Sequence, residues 1–453
     1  KTTPTKMPSS SFSLLICVIV LSAVSAVDGS AHCTLCGFVA NTVEGLLREN
    51  RTAVEIQSLI DKDICKVIPA NWTAVCDKIA GEVPLIVDQL IDHHKPGAVC
   101  QSLGYCDQPA KHRADPTNLR KTVVNLDLPP MQRWNEALLP YRETFQQIKA
   151  LLYSIFPGHL ARIEPLGEWA VKHMPQPYSD EIKGAAETLN VTVGLLGLAN
   201  LGYELSDLCT SIVAQDTNGA IHHARNLDFG VGMDFTDLLR NMTFHVDFTS
   251  QNKTVYQGIT YASFVGLLTG MRPDGFAVTI NTRFYPGPIW DIFSEVVAAI
   301  VLKGAAVNSQ VIRDVLLNTT NFKDALVQFQ TRPLLADVYF TVSGVAPGEG
   351  CVVTRNQTEA VDTWCLDAAS GRWFVLETNY DHWKPAPWFD NRREPAIDAL
   401  DNLGQANLTE SNLLGVLSTK PVFNQMTTYS IVASAKDGVL DGWSRYCNEP
   451  CPE

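Results

Sequence analysis

The sequence predicts two parts of different class: a small all-α unit stapled by disulfides, then a larger α+β unit, helical first and strand-rich afterwards. Three observations carry this. Six cysteines crowd between Cys33 and Cys106, and none follows until Cys209. Residues 130–205 repeat apolar side chains at three- and four-residue spacing, as in "ETFQQIKALLYSIF". Beyond Cys209, β-branched runs alternate with turn signals such as Asn218-Gly219. With 453 residues, 46% of them hydrophobic, the chain can form more than one domain with a substantial core.

The first element is a leader. Lys6 precedes an apolar run from Phe12 to Val24, and small residues follow at Val24-Ser25-Ala26. The run is too short and wrongly flanked for a membrane span. Residues 1–28 read as a removed signal, with Met7 as the start and Cys17 leaving with it. Lysosomal or secreted destinations follow from export. Asn-X-Ser/Thr acceptors occur at Asn50, Asn71, Asn190, Asn241, Asn252, Asn318, Asn356 and Asn407, as expected of a glycoprotein. The formal net charge of −13 argues against nucleic acid as a partner. That charge would fall on acidification, which suits an acidic compartment.

The cysteine-rich unit comes next. Cys33-x2-Cys36 is followed by Cys65, Cys76, Cys100 and Cys106, and six cysteines leave the connectivity open. Zinc is a competing reading of the C-x2-C pair. An oxidising compartment and the lack of a second such pair weaken it. Between the cysteines, "GFVANTVEGLLREN" sets Phe38, Val39, Val43, Leu46 and Leu47 on one helical stripe. This pattern resembles the saposin B-type family over about residues 31–108. The resemblance implies bonds Cys33–Cys106, Cys36–Cys100 and Cys65–Cys76. It also implies a helical leaf at 29–108 that covers lipid and meets a membrane surface. A solubilising helical spacer is the alternative. The polar, basic "DQPAKHRADPTNLRK" then reads as a linker over 109–121, open to proteolysis.

In the larger unit, "CTSIVAQD" reads as a buried strand and "AIHHARNLDF" as its returning partner. A two-residue turn at Asn218-Gly219 would set Cys209 opposite Asp228. The same register sends Arg225 to the other face, so a bulge or twist is needed to bring it to the thiol. A lone buried cysteine is commonly plain core. The flanking arginine and aspartate instead suit an activated nucleophile.

From about residue 122 onward the chain resembles the N-acylethanolamine acid amidase and acid ceramidase family. The stretches that carry this are "NLDLPPMQRW", "CTSIVAQD" with "ARNLDFG", "ADVYF", "GEGCVVTR", "RWFVLETNYDHWKPAP", "DNRR" and "STKPV". The resemblance implies an αββα sandwich of the N-terminal-nucleophile class. It implies self-cleavage at Leu208–Cys209 into segments 122–208 and 209–453 that remain a heterodimer. Cys209 would then supply a thiol nucleophile and an α-amine base. Asp228 would hold the amine, Arg225 would polarise the thiol and substrate, Asn379 would donate to the oxyanion, and Arg392 would organise the site. Without the resemblance, Asn379 would read as a turn residue and Arg392 as a surface ion-pair partner. His222 and His223 read as strand residues rather than catalysts.

The expected reaction is hydrolysis of a lipid amide without a metal or organic cofactor. N-acylethanolamines are the first expectation and ceramide the second. A non-enzymatic lipid-transfer protein and a membrane-perturbing defence protein are the alternatives of another class. One departure stands out: Thr282 occupies the position before Arg283 where the family usually has glutamate. By the same resemblance Cys447 pairs with Cys451. Cys351 and Cys365 lie symmetrically about a turn near Gln357–Glu359 and could either bridge or stay thiols.

Overall fold

A computed structural model describes residues 31–48, 51–65, 70–92, 96–106, 114–155, 157–202, 207–229, 233–283, 306–387, 390–448 and 451. The leader and Asn50 lie outside the described residues.

The small unit contains α1 (Ala31–Arg48), α2 (Ala53–Leu59) running into a π-helical turn, α3 (Ala70–Gly81), α4 (Val83–Ile91) and α5 (Pro96–Ser102). Thr52 starts α2 because its hydroxyl accepts the Glu55 N–H while the Glu55 carboxylate takes the Thr52 N–H. The stripe on α1 turns inward through Val39 and Val43, which pack with Ile56, Ile79, Ile86 and Val99. Cys33–Cys106, Cys36–Cys100 and Cys65–Cys76 close the unit as the six-cysteine resemblance implies. Val54, Leu85 and Ile91 remain exposed.

The larger unit stacks two sheets. Among the described residues, one has six strands in the order β1-β14-β13-β4-β3-β12, and the other has eight in the order β11-β10-β9-β8-β7-β6-β5-β2. Their ranges are β1 Thr117–Asn118, β2 Arg120–Asn125, β3 Asp207–Gln215, β4 Ile221–Phe229, β5 Thr243–Ser250, β6 Lys253–Tyr261, β7 Thr269–Arg272, β8 Phe276–Thr282, β9 Val338–Ser343, β10 Gly350–Arg355, β11 Ala360–Cys365, β12 Phe374–Glu377, β13 Thr427–Ser434 and β14 Val439–Ser444. Between β2 and β3 the described residues form α6 (Asn135–Leu138), α7 (Arg142–Ile155), α8 (Pro157–His173), α9 (Tyr178–Leu189) and α10 (Val193–Gly202). Later come α11 (Met233–Met242), α12 (Asn308–Asn318), α13 (Phe322–Thr331), α14 (Arg393–Leu403) and α15 (Glu410–Leu417). This is the expected αββα sandwich.

Each layer follows from strand alternation. Ile212, Ala214, Ala224 and Val432 turn from the six-stranded sheet toward Ala396, Leu400, Leu413 and Leu417 of α14 and α15. On the outer face of the eight-stranded sheet, Phe248 meets Trp134 edge-on at 5.7 Å and Phe340 tilts on Phe329 of α13. Arg313 of α12 is fixed there by Glu181 of α9, whose carboxylate also accepts from Trp134 and Arg133. Between the sheets the contacts include polar ones. His223 reaches Ser343 and Thr279, each at 2.9 Å.

The expected linker at 109–121 is too long. Thr117–Asn118 pairs with β14 and Arg120 opens β2, which runs parallel to β5. Both strands are sheet edges with largely exposed side chains. A solvent-facing edge strand has the polar composition of a linker, which is why the sequence reads as one. Residues on both sides of Cys209 share one core, from Val124 and Trp134 to Leu227 and Tyr429. Cys351 and Cys365 stand directly opposite in the β10–β11 ladder and form a disulfide, and Cys447 bonds Cys451.

The β3–β4 register differs from expectation by one residue. Cys209 pairs with Leu227, Ser211 with Arg225 and Leu208 with Asp228. The turn is a three-residue loop, Thr217 to Gly219, not the expected two-residue one. Asp216 sets it: its Oδ1 accepts the N–H groups of Asn218 at 2.8 Å and Ala220 at 2.7 Å. Gly219 takes a φ of 85°, which such a loop demands. A slip of one residue exchanges the faces of every side chain. Asp216→Ala should therefore cost about 1–2 kcal/mol for the two lost bonds, seen as a Tm lower by ~2–4 °C. An unchanged Tm would mean that the loop is set elsewhere.

Candidate active site

Cys209 is buried and in no disulfide. The observed register puts Cys209, Ser211 and Arg225 on one face, toward the eight-stranded sheet. Arg225 thus needs no bulge, contrary to the sequence expectation. Its Nη2 lies 2.8 Å from Cys209 Sγ. The same guanidinium donates to the carbonyls of Leu268 and Ile280 and to Thr269 Oγ1. These fix a cation against the sulfur, where it favours negative charge.

Asp228 takes the other face and does not stand opposite Cys209, which corrects the sequence expectation. The reason is the Asp216-capped loop. The Asp228 carboxylate accepts from Arg392 Nη1 at 2.9 Å, Thr427 Oγ1 at 2.7 Å and Asn424 Nδ2 at 3.2 Å. Complete burial pushes its carboxyl above the ordinary range, with Arg392 and the two neutral donors pulling against it.

Arg392 is the residue before α14, and it is buried. Besides Asp228 it binds both oxygens of Asp390, at 2.8 Å each, and Asn379 Oδ1 at 2.8 Å. Burial works against its charge, and the Asp390 and Asp228 carboxylates outweigh that, so it is held more firmly protonated than usual. Asn379 follows β12, the neighbour of β3. Its Oδ1 also accepts the backbone N–H of Cys209 at 2.8 Å, while its Nδ2 donates to the Thr282 carbonyl at 2.8 Å. In the uncut chain Asn379 therefore holds the nitrogen of Cys209. An oxyanion role requires its Nδ2 to exchange the Thr282 carbonyl for the substrate oxygen. The unusual Thr282 touches this site through its backbone, a contact that does not depend on its side chain.

The five residues singled out in the sequence thus form one chain of contacts: Arg225, Cys209, Asn379, Arg392, Asp228. Sequence reasoning missed Asp390, Asn424 and Thr427. Asp390 opens the quoted "DNRR", whereas Asn424 and Thr427 lie just past "STKPV" with no signal of their own. His223 is a strand residue, as expected. Burial, and then Arg225, hold its ring neutral down to about pH 3. Of the acceptor asparagines, Asn190, Asn241, Asn252, Asn318 and Asn407 are exposed and Asn356 is half-buried.

Comparison with known proteins agrees with this geometry. The profile of the linear amide C–N hydrolases, choloylglycine hydrolase family, matches residues 209–407, opening on Cys209 itself. A second profile, the β-subunit of N-acylethanolamine-hydrolyzing acid amidase, matches residues 117–164. The N-acylethanolamine-hydrolyzing acid amidase of Cavia porcellus is 41% identical over 318 residues, covering 69% of this chain and 86% of that protein. The chain belongs to the N-acylethanolamine acid amidase and acid ceramidase family. Acid ceramidase of Homo sapiens is 35% identical over 346 residues, 73% of this chain and 87% of the relative. Among solved structures, a Caenorhabditis elegans N-acylethanolamine-hydrolyzing acid amidase ortholog aligns with 38% identity and a TM-score of 0.45, covering 50% of this chain and 93% of that one.

As a member of this amidase family the chain is an N-terminal-nucleophile amidohydrolase acting on linear amides. Arg392 tests how the site is held. Lysine would supply a point charge that cannot span Asp228, Asp390 and Asn379 together. Arg392→Lys should lower amidase turnover about 10²-fold through misplacement of the reacting groups, with the circular dichroism spectrum unchanged. Wild-type turnover in this variant would show that charge alone suffices.

Proposed function

We propose that the chain cuts its own Leu208–Cys209 bond and then hydrolyses a fatty-acyl amide to a fatty acid and an amine, with N-acylethanolamines as substrate. The observation that carries this is the separate holding of the two functions of Cys209. Its sulfur lies against Arg225 and its nitrogen against Asn379, each at 2.8 Å. In self-cleavage, Sγ attacks the Leu208 carbonyl carbon, the C–N bond breaks, and a water hydrolyses the thioester. The freed α-amine has an intrinsic pKa near ~8. It takes the thiol proton, Sγ attacks the substrate carbonyl, and the ammonium returns the proton to the leaving amine. A water activated by the amine then releases the fatty acid.

Asn379 Oδ1 would keep its hold on this nitrogen. Asp228, paired with Leu208 across the ladder, supplies the negative charge near the cut. Arg225 stabilises the thiolate. Because the core is shared across residue 209, the two fragments would stay together as a heterodimer. The higher identity to the amidase than to the ceramidase favours N-acylethanolamines, and ceramide is the second reading through the Cys447–Cys451 bond. Lysosomal or secreted placement, a removed leader and glycosylation complete the proposal.

The test is mass spectrometry of acid-treated protein given N-palmitoylethanolamine and ceramide together. A new N-terminus at Cys209 and preferential loss of the N-acylethanolamine are expected, and Cys209→Ala should be uncut and inactive. An active, uncut wild-type chain would overturn the mechanism. Preferential loss of ceramide would replace the substrate.

The exposed Val54, Leu85 and Ile91 support a lipid-facing role for the small unit. Removing residues 29–108 should slow hydrolysis in anionic liposomes several-fold more than in detergent. Equal loss in both would make the unit a structural support.

A further inference from the structure

One carboxyl beside the site has no part in the chemistry above. Glu377 is the last residue of β12, two before Asn379, and is completely buried. It pairs with Ser211 in the ladder, so its side chain enters the layer between the sheets. Its Oε1 accepts the Thr378 N–H at 3.0 Å, and its Oε2 has no hydrogen-bond partner. It forms no ion pair among the described residues, and the groups around it are committed elsewhere. Arg283, at the end of β8, binds Asp381 at 2.8 Å. Arg393, at the start of α14, donates to the carbonyls of Asp381 and Lys384 and to Glu394. Tyr339 of β9 donates to Asp381, which also pairs with Lys384. Arg225 of β4 is spent on Cys209, Thr269 and backbone carbonyls.

We propose that Glu377 is a positioning residue that acts as a neutral carboxylic acid, keeping the end of β12, and with it Asn379, in place only while it is uncharged. The segment it ends is clamped from both sides. Asn281 Nδ2 donates to the carbonyls of Glu377 at 3.0 Å and Thr378 at 2.8 Å, and Asn379 Nδ2 returns a bond to Thr282. A carboxylate formed beneath this clamp would have one backbone N–H and no paired cation. It must draw water or pull Arg283 or Arg393 from their partners. Either movement shifts Asn379 and so the nitrogen of Cys209. Burial raises the Glu377 carboxyl well above its ordinary value, against weaker opposition from Thr378, Arg393 and Arg283. The role is legible in chemistry alone: glutamine has the same shape and no charge.

This inference rests on the proposed hold of Asn379 on the Cys209 nitrogen. The experiment compares wild type with Glu377→Gln in the processed protein. Turnover of N-palmitoylethanolamine and Tm are each measured from about pH 4 to pH 8, across the range above the ordinary carboxylate pKa. The variant should match wild type at the acid end and keep its kcat where wild type falls. The alkaline limb should move up by about one pH unit or more, with KM unchanged. The Tm of wild type should drop relative to the variant as pH rises, because a raised carboxyl pKa favours the native state below the ordinary value and ceases to do so as pH climbs through the raised one. A variant that fails to fold, or one whose pH profile and Tm track wild type, overturns the proposal, since a neutral isostere is all it requires. A wild type that hydrolyses no acyl amide, with the Tm difference present, would instead overturn the functional reading and leave Glu377 as a neutral buried acid.

Discussion

The Arg392 guanidinium is the interaction on which the site depends. It is a single buried cation shared by two carboxylates and one amide oxygen from three separate segments. Removing one partner from such a cluster leaves a charge without compensation, at a typical cost of about 3–5 kcal/mol. The cluster therefore holds its geometry by making every alternative expensive. Its members come from β4, from the turn after β12 and from the start of α14. The helix layer, the six-stranded sheet and the backbone nitrogen of Cys209 are thus tied to one point.

The two faces of the six-stranded sheet divide the work. The inter-sheet face carries the thiol with Arg225, and Glu377 in the same layer. The helix-facing side carries Asp228, which meets Arg392 at the head of α14. The backbone of Cys209 and the Asn379 amide connect the two. Strand geometry permits this because a side chain and its own backbone nitrogen point in different directions. Cys209, near the start of β3, can therefore set its sulfur against Arg225 and its nitrogen against Asn379.

Much of this was legible in the sequence. The helical unit was legible because six cysteines and a 3.6-residue period agree, and the sandwich because a helical stretch gives way to β-branched runs. The five site residues were legible only through family motifs, since nothing in local pattern brings Asn379 or Arg392 to residue 209. What failed was the register. An Asn-Gly pair suggests a two-residue turn, and the competing signal, the Asp216 carboxylate capping two amides, is equally local and was overlooked. That one residue decided whether arginine or aspartate met the thiol. Edge-strand residues 117–121 were misread because solvent exposure erases the apolar alternation that marks a strand.

The buried acids set opposing demands on pH. Asp228 and Glu377 are both raised, foremost by burial, so their contribution to the native state is full below the ordinary carboxylate range and declines as pH rises. Asp381 runs the other way. Burial raises it, but Arg283, Lys384 and Tyr339 outweigh that and bring it to about 2. Its contribution is full above the ordinary range and is lost only as pH falls toward that value. The native state thus gains from mild acid through Asp228 and Glu377 and loses the Asp381 contribution in strong acid. Asp381 engages Arg283 and Lys384 itself, which leaves Glu377, four residues upstream, without a counter-ion. The ion pair at the turn and the neutral acid beside it are therefore two halves of one arrangement.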